Sequence, residues 1–297
     1  MKKLSFLLIF LAALSLSCKS NQDTSAVKTF DVGAYKIHLL TDTTFAGSKD
    51  LLIGASDDML KQYAPDGTYP MAASCFAVRI PAGKIILIDS GFGTNLLKNL
   101  AKVKIDPKQI DAVLITHMHY DHIGGLLKDG KVVFPNAEIY IAKLEHGYWT
   151  SEREKTRAGE GASDNFQLAA EVVEAYGAKV RLFDPNRLGR IQESLFEGIS
   201  PIEAYGHTPG HTMFLIESND QKLMVWGDLV HAMNIQMPHP EVAMQFDIDS
   251  KQAIATRKQV LEYISDNKIS VAGMHVPAPG AGSLASSGNG YLFTPIK

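Results

Sequence analysis

The most informative segment of the chain reads Ile115-Thr116-His117-Met118-His119-Tyr120-Asp121-His122-Ile123-Gly124-Gly125-Leu126. The mostly apolar residues 111–115 that lead into it are typical of a buried strand, and the paired glycines that follow allow a tight turn. Only 10 of the 297 residues are histidines, so three of them within six positions, beside an aspartate, fit chance poorly. Because neutral imidazoles and carboxylates are ligands of zinc, we predict a metal site on a loop after a buried strand.

The composition is that of an ordinary globular protein, with 45% hydrophobic and 21% charged residues. A net charge of −3 gives no sign of a nucleic-acid-binding surface, so we expect no nucleic-acid partner. The length permits one large domain or two halves that share a core. Apart from Cys18, the only cysteine is Cys75, whose apolar neighbours predict a buried, inert thiol.

The N-terminus resembles an export signal, with two lysines before an apolar run over residues 4–16. That run is too short to cross a bilayer, which takes about 20 apolar residues. Its end resembles a bacterial lipobox, although Ser15 stands where a leucine is usual. We predict a signal peptide over residues 1–17, a lipidated Cys18 and a tether over residues 18–29. Simple secretion is the alternative, and in both cases we expect the protein in the cell envelope or periplasm, with membrane contact only through the lipid.

For the rest of the chain, residues 30–297, the sequence pattern predicts a single α+β domain. Strand patterns alternate with helices and with β-hairpins in each half, which favours two layered sheets with helices outside over a doubly wound sheet. Residues 42–71 are rich in glycine and proline and predict a long irregular loop. Such a loop could be a flap over a site or a partner surface, with packing in the core as the alternative.

Further polar residues follow other predicted strands. The segment Gly206-His207-Thr208-Pro209-Gly210-His211-Thr212 lies between two strands, Asp228 follows a third and His275 follows a fourth. This common placement could bring separated segments to one metal centre. Asp89 ends the predicted hairpin strand over residues 84–88, where its carboxylate could accept hydrogen bonds from the metal loop.

Taken together, these motifs resemble the metallo-β-lactamase superfamily. The resemblance runs from about residue 30 to the C-terminus and implies a four-layer αββα sandwich with two metal ions, expected to be Zn²⁺ although other divalent ions would fit. Matched position by position, it implies these ligands: His117, His119 and His211 for the first ion, Asp121, His122 and His275 for the second, and Asp228 bridging both. His207 falls outside the match and is expected to lie behind the ligands.

Within that superfamily the chain is similar to methyl parathion hydrolase-like proteins and to acyl-homoserine lactone lactonases. Residues 247–251 and 288–291 resemble the former group particularly. The resemblance implies a hydrolase in which a metal-bound hydroxide opens the lactone ring of N-acyl-homoserine lactones, a quorum-quenching activity, with Asp121 moving the proton. An organophosphate triester hydrolase is the alternative, and a non-catalytic metal-binding envelope protein is a third hypothesis.

One departure from the lactonase pattern concerns the third residue after the bridging Asp228. Well-studied short lactonases carry a tyrosine there, whereas this chain has His231, whose imidazole could donate a hydrogen bond or a proton to the substrate. A loop histidine without a role is the alternative. Trp149, Tyr148 and Phe45 are candidate walls for a substrate, with core aromatics as the alternative. The expected partner is a small ester or lactone substrate, and a homodimer stays open.

Overall fold

The computed structural model describes residues 26–296, so the predicted signal peptide and Cys18 lie outside the described residues. The strands are β1 (Ala26–Val32), β2 (Tyr35–Ser48), β3 (Leu52–Ile53), β4 (Thr68–Arg79), β5 (Ile85–Ile88), β6 (Ala112–Leu114), β7 (Leu127–Lys128), β8 (Lys131–Val132), β9 (Glu138–Ala142), β10 (Val180–Phe183), β11 (Ile199–Glu203), β12 (Thr212–Ser218), β13 (Gln221–Val225), β14 (Ala243–Met244), β15 (Ser270–Ala272), β16 (Ala281–Ser287) and β17 (Gly290–Pro295).

The α-helices are α1 (Asp57–Tyr63), α2 (Leu96–Lys102), α3 (Tyr120–Ile123), α4 (Lys143–Trp149), α5 (Glu152–Ala158), α6 (Ser163–Tyr176), α7 (Met233–Gln236) and α8 (Ser250–Asp266). Short 3₁₀ helices occur at Lys49–Leu51, Pro107–Gln109, Gly124–Leu126, Glu160–Ala162 and Gly177–Lys179. Within residues 26–296, every helix is too short or too polar to cross a membrane.

Two large sheets contain most of the strands. The first has seven strands in the order β1-β2-β4-β5-β6-β9-β10, and the second has six in the order β11-β12-β13-β15-β16-β17. Strand β14 pairs with β3, and β7 pairs with β8, in two small additional sheets. The helices and the two mixed sheets, which contain both antiparallel and parallel pairs, confirm the predicted α+β fold.

Alternation of side chains along the strands separates the core into layers. On β4, Phe76 and Val78 pack with residues of both sheets, including Phe214 of β12, and therefore lie between the sheets. The intervening Cys75 and Ala77 face the other way, in a cluster with buried residues of helices α2 and α6. The outer face of the second sheet packs in the same manner on buried residues of α8. The order of layers is therefore helix, sheet, sheet, helix, as the αββα resemblance implied.

Helix α8 illustrates how the sequence specifies these layers. The side chain of Asp249 accepts a hydrogen bond from the Gln252 amide and so caps the N-terminus of the helix. Val260, Leu261 and Ile264 recur at helical spacing and are buried against the second sheet.

Two local predictions were wrong. Residues 42–71 are not an irregular loop, because β2 and β4 continue as a long antiparallel pair, with a register shift between Thr41 and Thr43, and α1 lies between them. The predicted tether is wrong at residues 26–29, which belong to β1 and pair with β2.

A fourth cluster, which we call the apolar cap, joins the far ends of β2 and β4 to residues 232–246. Its members are Leu51, Ala64, Tyr69, Met71, Ala232, Ile235, Val242 and Met244, with Phe45, Leu52, Ala55, Met59, Tyr63 and Phe246 partly buried against them. The residues predicted to form a flap therefore pack into a small core of their own, which was the stated alternative.

Candidate metal centre

The predicted ligands lie on loops that follow the ends of strands. His117 and His119 follow β6, and Asp121 and His122 lie in the short helix α3 directly afterwards. In the second sheet β13 and β15 run parallel, so their carboxyl ends lie at one edge, and Asp228 and His275 follow those ends. The fold thus brings residues from both sheets to one place between them.

A first group of possible ligand atoms is formed by His117, His119, His207 and Asp228. The Nδ1 atom of His119 lies 3.0 Å from Nε2 of His117 and 3.0 Å from Nε2 of His207. Three ring nitrogens that converge at this distance are well placed to hold one cation, because imidazole nitrogen is a common ligand of zinc and similar metals.

A second group is formed by Asp121, His122 and His275. The Asp121 carboxylate lies 3.7 Å from Nε2 of His122 and 3.4 Å from Nε2 of His275. The structure therefore brings together, as predicted, one carboxylate and two imidazoles for a second ion.

Asp228 lies between the two groups. Its Oδ2 atom is 3.2 Å from Nε2 of His207 and 3.0 Å from Nε2 of His275, and its Oδ1 atom is 3.1 Å from Nε2 of His122. Burial alone would raise the pKa of Asp228, but the surrounding histidines, His122 first, hold it well below its usual range. The carboxylate is placed where a bridging ligand would be.

A further observation indicates that these donor atoms would suit a pair of metal ions. His122 Nε2 and Asp228 Oδ1 are both buried and lie 3.1 Å apart as an ion pair, and neither has a partner that meets hydrogen-bond geometry among residues 26–296. An unpaired buried polar atom is costly, whereas a cation bound between the two groups would satisfy both atoms.

The structure differs from the prediction over which histidine, His207 or His211, lies among the possible metal ligands. The Nδ1 atom of His211 donates to the Ala204 carbonyl over 2.9 Å, and its Nε2 accepts from the Asp228 amide over 2.9 Å. Burial lowers the pKa of His211 to about 3, so the ring stays neutral. Both of its ring nitrogens are engaged with the backbone, and His207, not His211, lies among the possible ligands.

The histidines of the centre are oriented from behind by hydrogen bonds at their other ring nitrogen, an arrangement common in metal sites. Asp89 contacts His122 Nδ1 at 2.6 Å, as predicted, and also accepts from the Thr116 amide. Asp247 contacts His207 Nδ1 at 2.9 Å, and His275 Nδ1 donates to the Ala72 carbonyl. Burial would lower the pKa of His207, but Asp228 and Asp247 outweigh it and raise that pKa to about 9.

His231 belongs to the same cluster. Its Nε2 lies 2.9 Å from Asp228 Oδ2 and its ring stacks on His275, with centroids 4.8 Å apart. Its Nδ1 is buried and has no hydrogen-bond partner among the described residues. Burial, opposed by Asp228, lowers the pKa of His231 to about 4. The side chain is therefore a neutral imidazole that touches the bridging carboxylate.

The three predicted substrate-contacting aromatics differ in burial, and only Trp149 is a core residue. Trp149 is buried between Phe166 and the edge of the His119 ring, and Tyr148 packs against Trp149 and Phe166. Phe45 is half-buried at the border of the apolar cap. Trp149 thus lies in the core, as the alternative had it, and Tyr148 is partly buried beside it.

An aromatic row that the sequence did not reveal begins at Phe45. The Phe45 ring meets Phe92 at 6.5 Å, and Phe92 meets Tyr120 at 5.7 Å. Tyr120 is half exposed and directly precedes Asp121, so the row connects the cap to the metal loop. No local signal identifies it, because its members come from three segments that are distant in sequence.

The exchange of His211 for His207 gives a direct test. We expect His207→Ala to lose one of two bound metal ions, whereas His211→Ala keeps both and loses about 10- to 100-fold in activity, as is usual for residues behind ligands. Metal content measured after removal of free metal distinguishes the two variants. A His211→Ala protein that loses an ion while His207→Ala keeps both would restore the original prediction.

Comparison with known proteins gives one family and several relatives. The family model described as the metallo-beta-lactamase superfamily matches residues 68–275. A ribonuclease from Thermus thermophilus is 25% identical over 57% of this chain and 38% of its own length. A probable metallo-hydrolase from Streptococcus pyogenes is 29% identical over 48% of this chain and 56% of its own length. The chain thus spans only part of the length of these curated relatives.

Among solved structures, AidC, described as a dizinc quorum-quenching lactonase in complex with a product, matches nearly the whole chain. It is 28% identical, covers 93% of this chain and 99% of its own chain, and superposes with a TM-score of 0.83.

Proposed function

Because this chain belongs to the metallo-beta-lactamase superfamily and brings together groups of His and Asp residues that could hold metal ions, we propose that it is a dizinc lactonase. Its substrates would be N-acyl-homoserine lactones, and its reaction would be hydrolytic opening of their ring. Membership of the superfamily supports a metal-dependent hydrolase. The lactone substrate is the further step that we propose.

The observation that carries the proposal is the likeness to AidC, because it extends beyond the residues matched by the family model. That match begins at residue 68, whereas the likeness covers 93% of this chain and 99% of AidC. It therefore has to include much of the N-terminal segment that forms one side of the apolar cap. Agreement in the segments that border the centre supports a similar class of substrate more than agreement in the metal loop alone.

We assign the metal ligands from the geometry: His117, His119 and His207 for one ion, and Asp121, His122 and His275 for the other. Asp228 is assigned to both because it belongs to the first group and also lies 3.1 Å from His122 and 3.0 Å from His275. When bound, two such ions would lower the pKa of a water molecule toward neutrality and polarise the carbonyl that it attacks. Zinc is proposed because imidazole and carboxylate oxygen are its usual ligands.

The chain's own residues would then handle the proton. Asp121 follows the half-exposed Tyr120 and retains a small exposed fraction, and it can accept a proton from the nucleophile and return it to the departing alkoxide. His231 is neutral and contacts Asp228, and in the proposed enzyme its Nε2 donates to that carboxylate and orients it.

The apolar cap and the aromatic row would receive the acyl chain. Phe45, Phe92 and Tyr120 form a continuous aromatic surface from the cap to the metal loop. On the other side, Phe246 of the cap lies 6.3 Å from the ring of His231. Apolar walls with a few convergent polar groups are typical of small-molecule sites.

The test compares kcat/KM of the zinc-loaded protein for short- and long-chain homoserine lactones with that for an aryl phosphotriester. We expect the lactone values to exceed the triester value by about 10²-fold or more, a common size for discrimination by contacts in a pocket. Ring opening is followed by the acid it releases and triester hydrolysis by the phenolate.

Dominance of the triester would replace the lactonase by an organophosphate hydrolase on the same centre. Absence of both activities in a protein that holds two metal ions would reject both substrates while leaving the family assignment intact. A protein that binds no metal would reject the dizinc proposal itself, and would favour neither the lactone nor the triester as substrate.

A further inference from the structure

Glu145 is a fully buried carboxylate that takes no part in the proposed chemistry. It lies in the first turn of α4, and its side chain is enclosed by polar hydrogens. Oε1 accepts from the Met118 amide over 2.8 Å and from the Trp149 indole over 2.6 Å. Oε2 accepts from the Thr208 hydroxyl over 2.6 Å and from the Gly210 amide over 2.9 Å.

Three of the four donors come from the two segments that carry the first group of ligands. Met118 lies between His117 and His119, and Thr208 directly follows His207. The fourth donor, Trp149, also meets the His119 ring, at a centroid distance of 5.4 Å. One carboxylate is therefore hydrogen-bonded to backbone or side-chain groups beside all three histidines, although the two segments are far apart in sequence.

The contact between α4 and the histidine turn is unusually close. A Cβ atom at Gly210 would lie 2.2 Å from the backbone nitrogen of Glu145 and 2.7 Å from its Cα, nearer than side-chain carbons can approach. Glycine at this position lets the turn come within hydrogen-bonding distance of the carboxylate.

The second group of ligands is oriented by other residues. Asp89 holds His122, and the Ala72 carbonyl holds His275. None of the hydrogen bonds of Glu145 described above reaches Asp121, His122 or His275. Changes at Glu145 should therefore act on one half of the centre.

We propose that Glu145 is a positioning residue that sets the distance between the 117–119 loop and His207, and thereby the affinity of the first metal site and not that of the second. The inference rests on the proposed two-metal centre and is independent of the substrate.

Glu145→Gln tests the proposal with almost no change in volume. All four donors point at the carboxylate, so an amide nitrogen on either side faces groups that also donate. The amide is best tolerated beside Thr208, whose hydroxyl can turn and accept, but the Gly210 amide then loses its acceptor. We expect the turn that carries His207 to loosen, since a buried amide without a partner is unfavourable.

The matched control is Asp42→Asn. Asp42 is also fully buried, and its carboxylate accepts from the amides of Thr94 and Asn95, which lie in a segment without ligands. The metal-free wild type and both variants would be titrated with Zn²⁺ against a chromophoric chelator, and with Co²⁺ while its visible absorption is recorded.

In the wild type we expect two ions per chain. Glu145→Gln should bind one of them about 10- to 100-fold more weakly, the usual effect of residues behind ligands, and the other unchanged. The Co²⁺ spectrum of the weakened site should change, and that of the remaining site should not. Asp42→Asn should keep both affinities and both spectra even if it lowers thermal stability.

Three results would overturn the inference: unchanged affinities in Glu145→Gln, equal weakening of both sites, or the same loss in Asp42→Asn. Should Glu145→Gln fail to fold, Gly210→Ala displaces the same turn through the backbone and is expected to weaken the same single site. A wild type that does not bind two ions would instead reject the proposed centre, which keeps the two failures distinguishable.

Discussion

Replacing Asp228 by alanine is expected to lower kcat/KM for the preferred substrate by at least about 10³-fold, because one well-placed polar group alone contributes about 10²- to 10³-fold to catalysis. Asp228 contributes to both halves of the centre, since its two oxygens lie within 3.2 Å of His207, His122 and His275. Zinc content should fall together with activity.

The contacts of Asp228 give this expectation its physical reason. The carboxylate is buried among histidines that lower its pKa, so it stays ionised. Its negative charge would offset the positive charge of bound metal ions. Without it, two cations would have to share a buried site whose other carboxylate, Asp121, lies to one side of the pair. Coulombic repulsion in such a site is only weakly screened by solvent.

Two variants provide the controls. Asp228→Asn keeps the shape and one oxygen but removes the charge, and we expect it to lose activity nearly as strongly. Asp266→Ala removes an exposed carboxylate at the end of α8 and should match the wild type. An Asp228→Ala protein that retains two metal ions and activity within tenfold of the wild type would contradict the assignment of Asp228 as the bridging ligand.

The largest expected effect on stability is that of Arg257→Met, at about 3–5 kcal/mol. Arg257 lies on α8 with its side chain buried. Its guanidinium donates to the carbonyls of Leu229, Pro240 and Val242 over 2.7–3.1 Å. It also lies 3.8 Å from Asp247, the residue that orients His207.

Methionine fills a similar volume but leaves the carbonyls of Leu229 and Pro240 without this donor and Asp247 without its nearby positive charge, while the Val242 carbonyl keeps only the Gln236 amide. For a domain of this size, 1 kcal/mol corresponds to roughly 2–4 °C in Tm, so a loss of roughly 10 °C is expected in thermal unfolding of the metal-free protein. Lys258→Met changes the next residue, which is exposed, and should leave Tm nearly unchanged. Equal melting temperatures for both variants would show that the buried guanidinium is not needed for stability.

The metal loop could be predicted from the sequence because its information is local. His117, His119, Asp121 and His122 lie within six residues, after an apolar strand, and the polypeptide has few ways to separate them. Asp228 and His275 were predictable for a related reason, since each follows an apolar strand and parallel strands end at the same edge of a sheet.

The choice between His207 and His211 could not be made in the same way. The two residues lie in one turn, four positions apart, and both follow polar or small residues. What separates them is the partner of each ring: the Ala204 carbonyl and the Asp228 amide engage His211, and Asp247 orients His207. Asp228 is 17 residues from His211, and Asp247 is 40 residues from His207. Patterns in the local sequence do not indicate contacts at such separations.

The long β2–β4 pair was mistaken for a loop because glycine and proline normally interrupt strands. Here Pro70 is one residue of β4, and Gly47 of β2 leaves room for the Tyr69 ring, which a Cβ would meet at 2.4 Å. Trp149 was similarly ambiguous, since a large aromatic suits a pocket wall and a core equally well. Its hydrogen bond to Glu145, four residues earlier on the same helix, decides for the core.

Each large sheet is formed by one continuous part of the chain, residues 26–183 for the first and residues 199–295 for the second. During synthesis the first part is complete on the order of 10 s before the last residue is added, at typical rates of elongation. In that interval the side of the first sheet that carries Phe76 and Ile86 is still uncovered, and such surfaces aggregate or recruit chaperones. Metal ions cannot relieve this exposure, because His207, Asp228 and His275 all belong to the part made last. Availability of metal should therefore affect how long the finished protein persists and not how well the nascent chain folds.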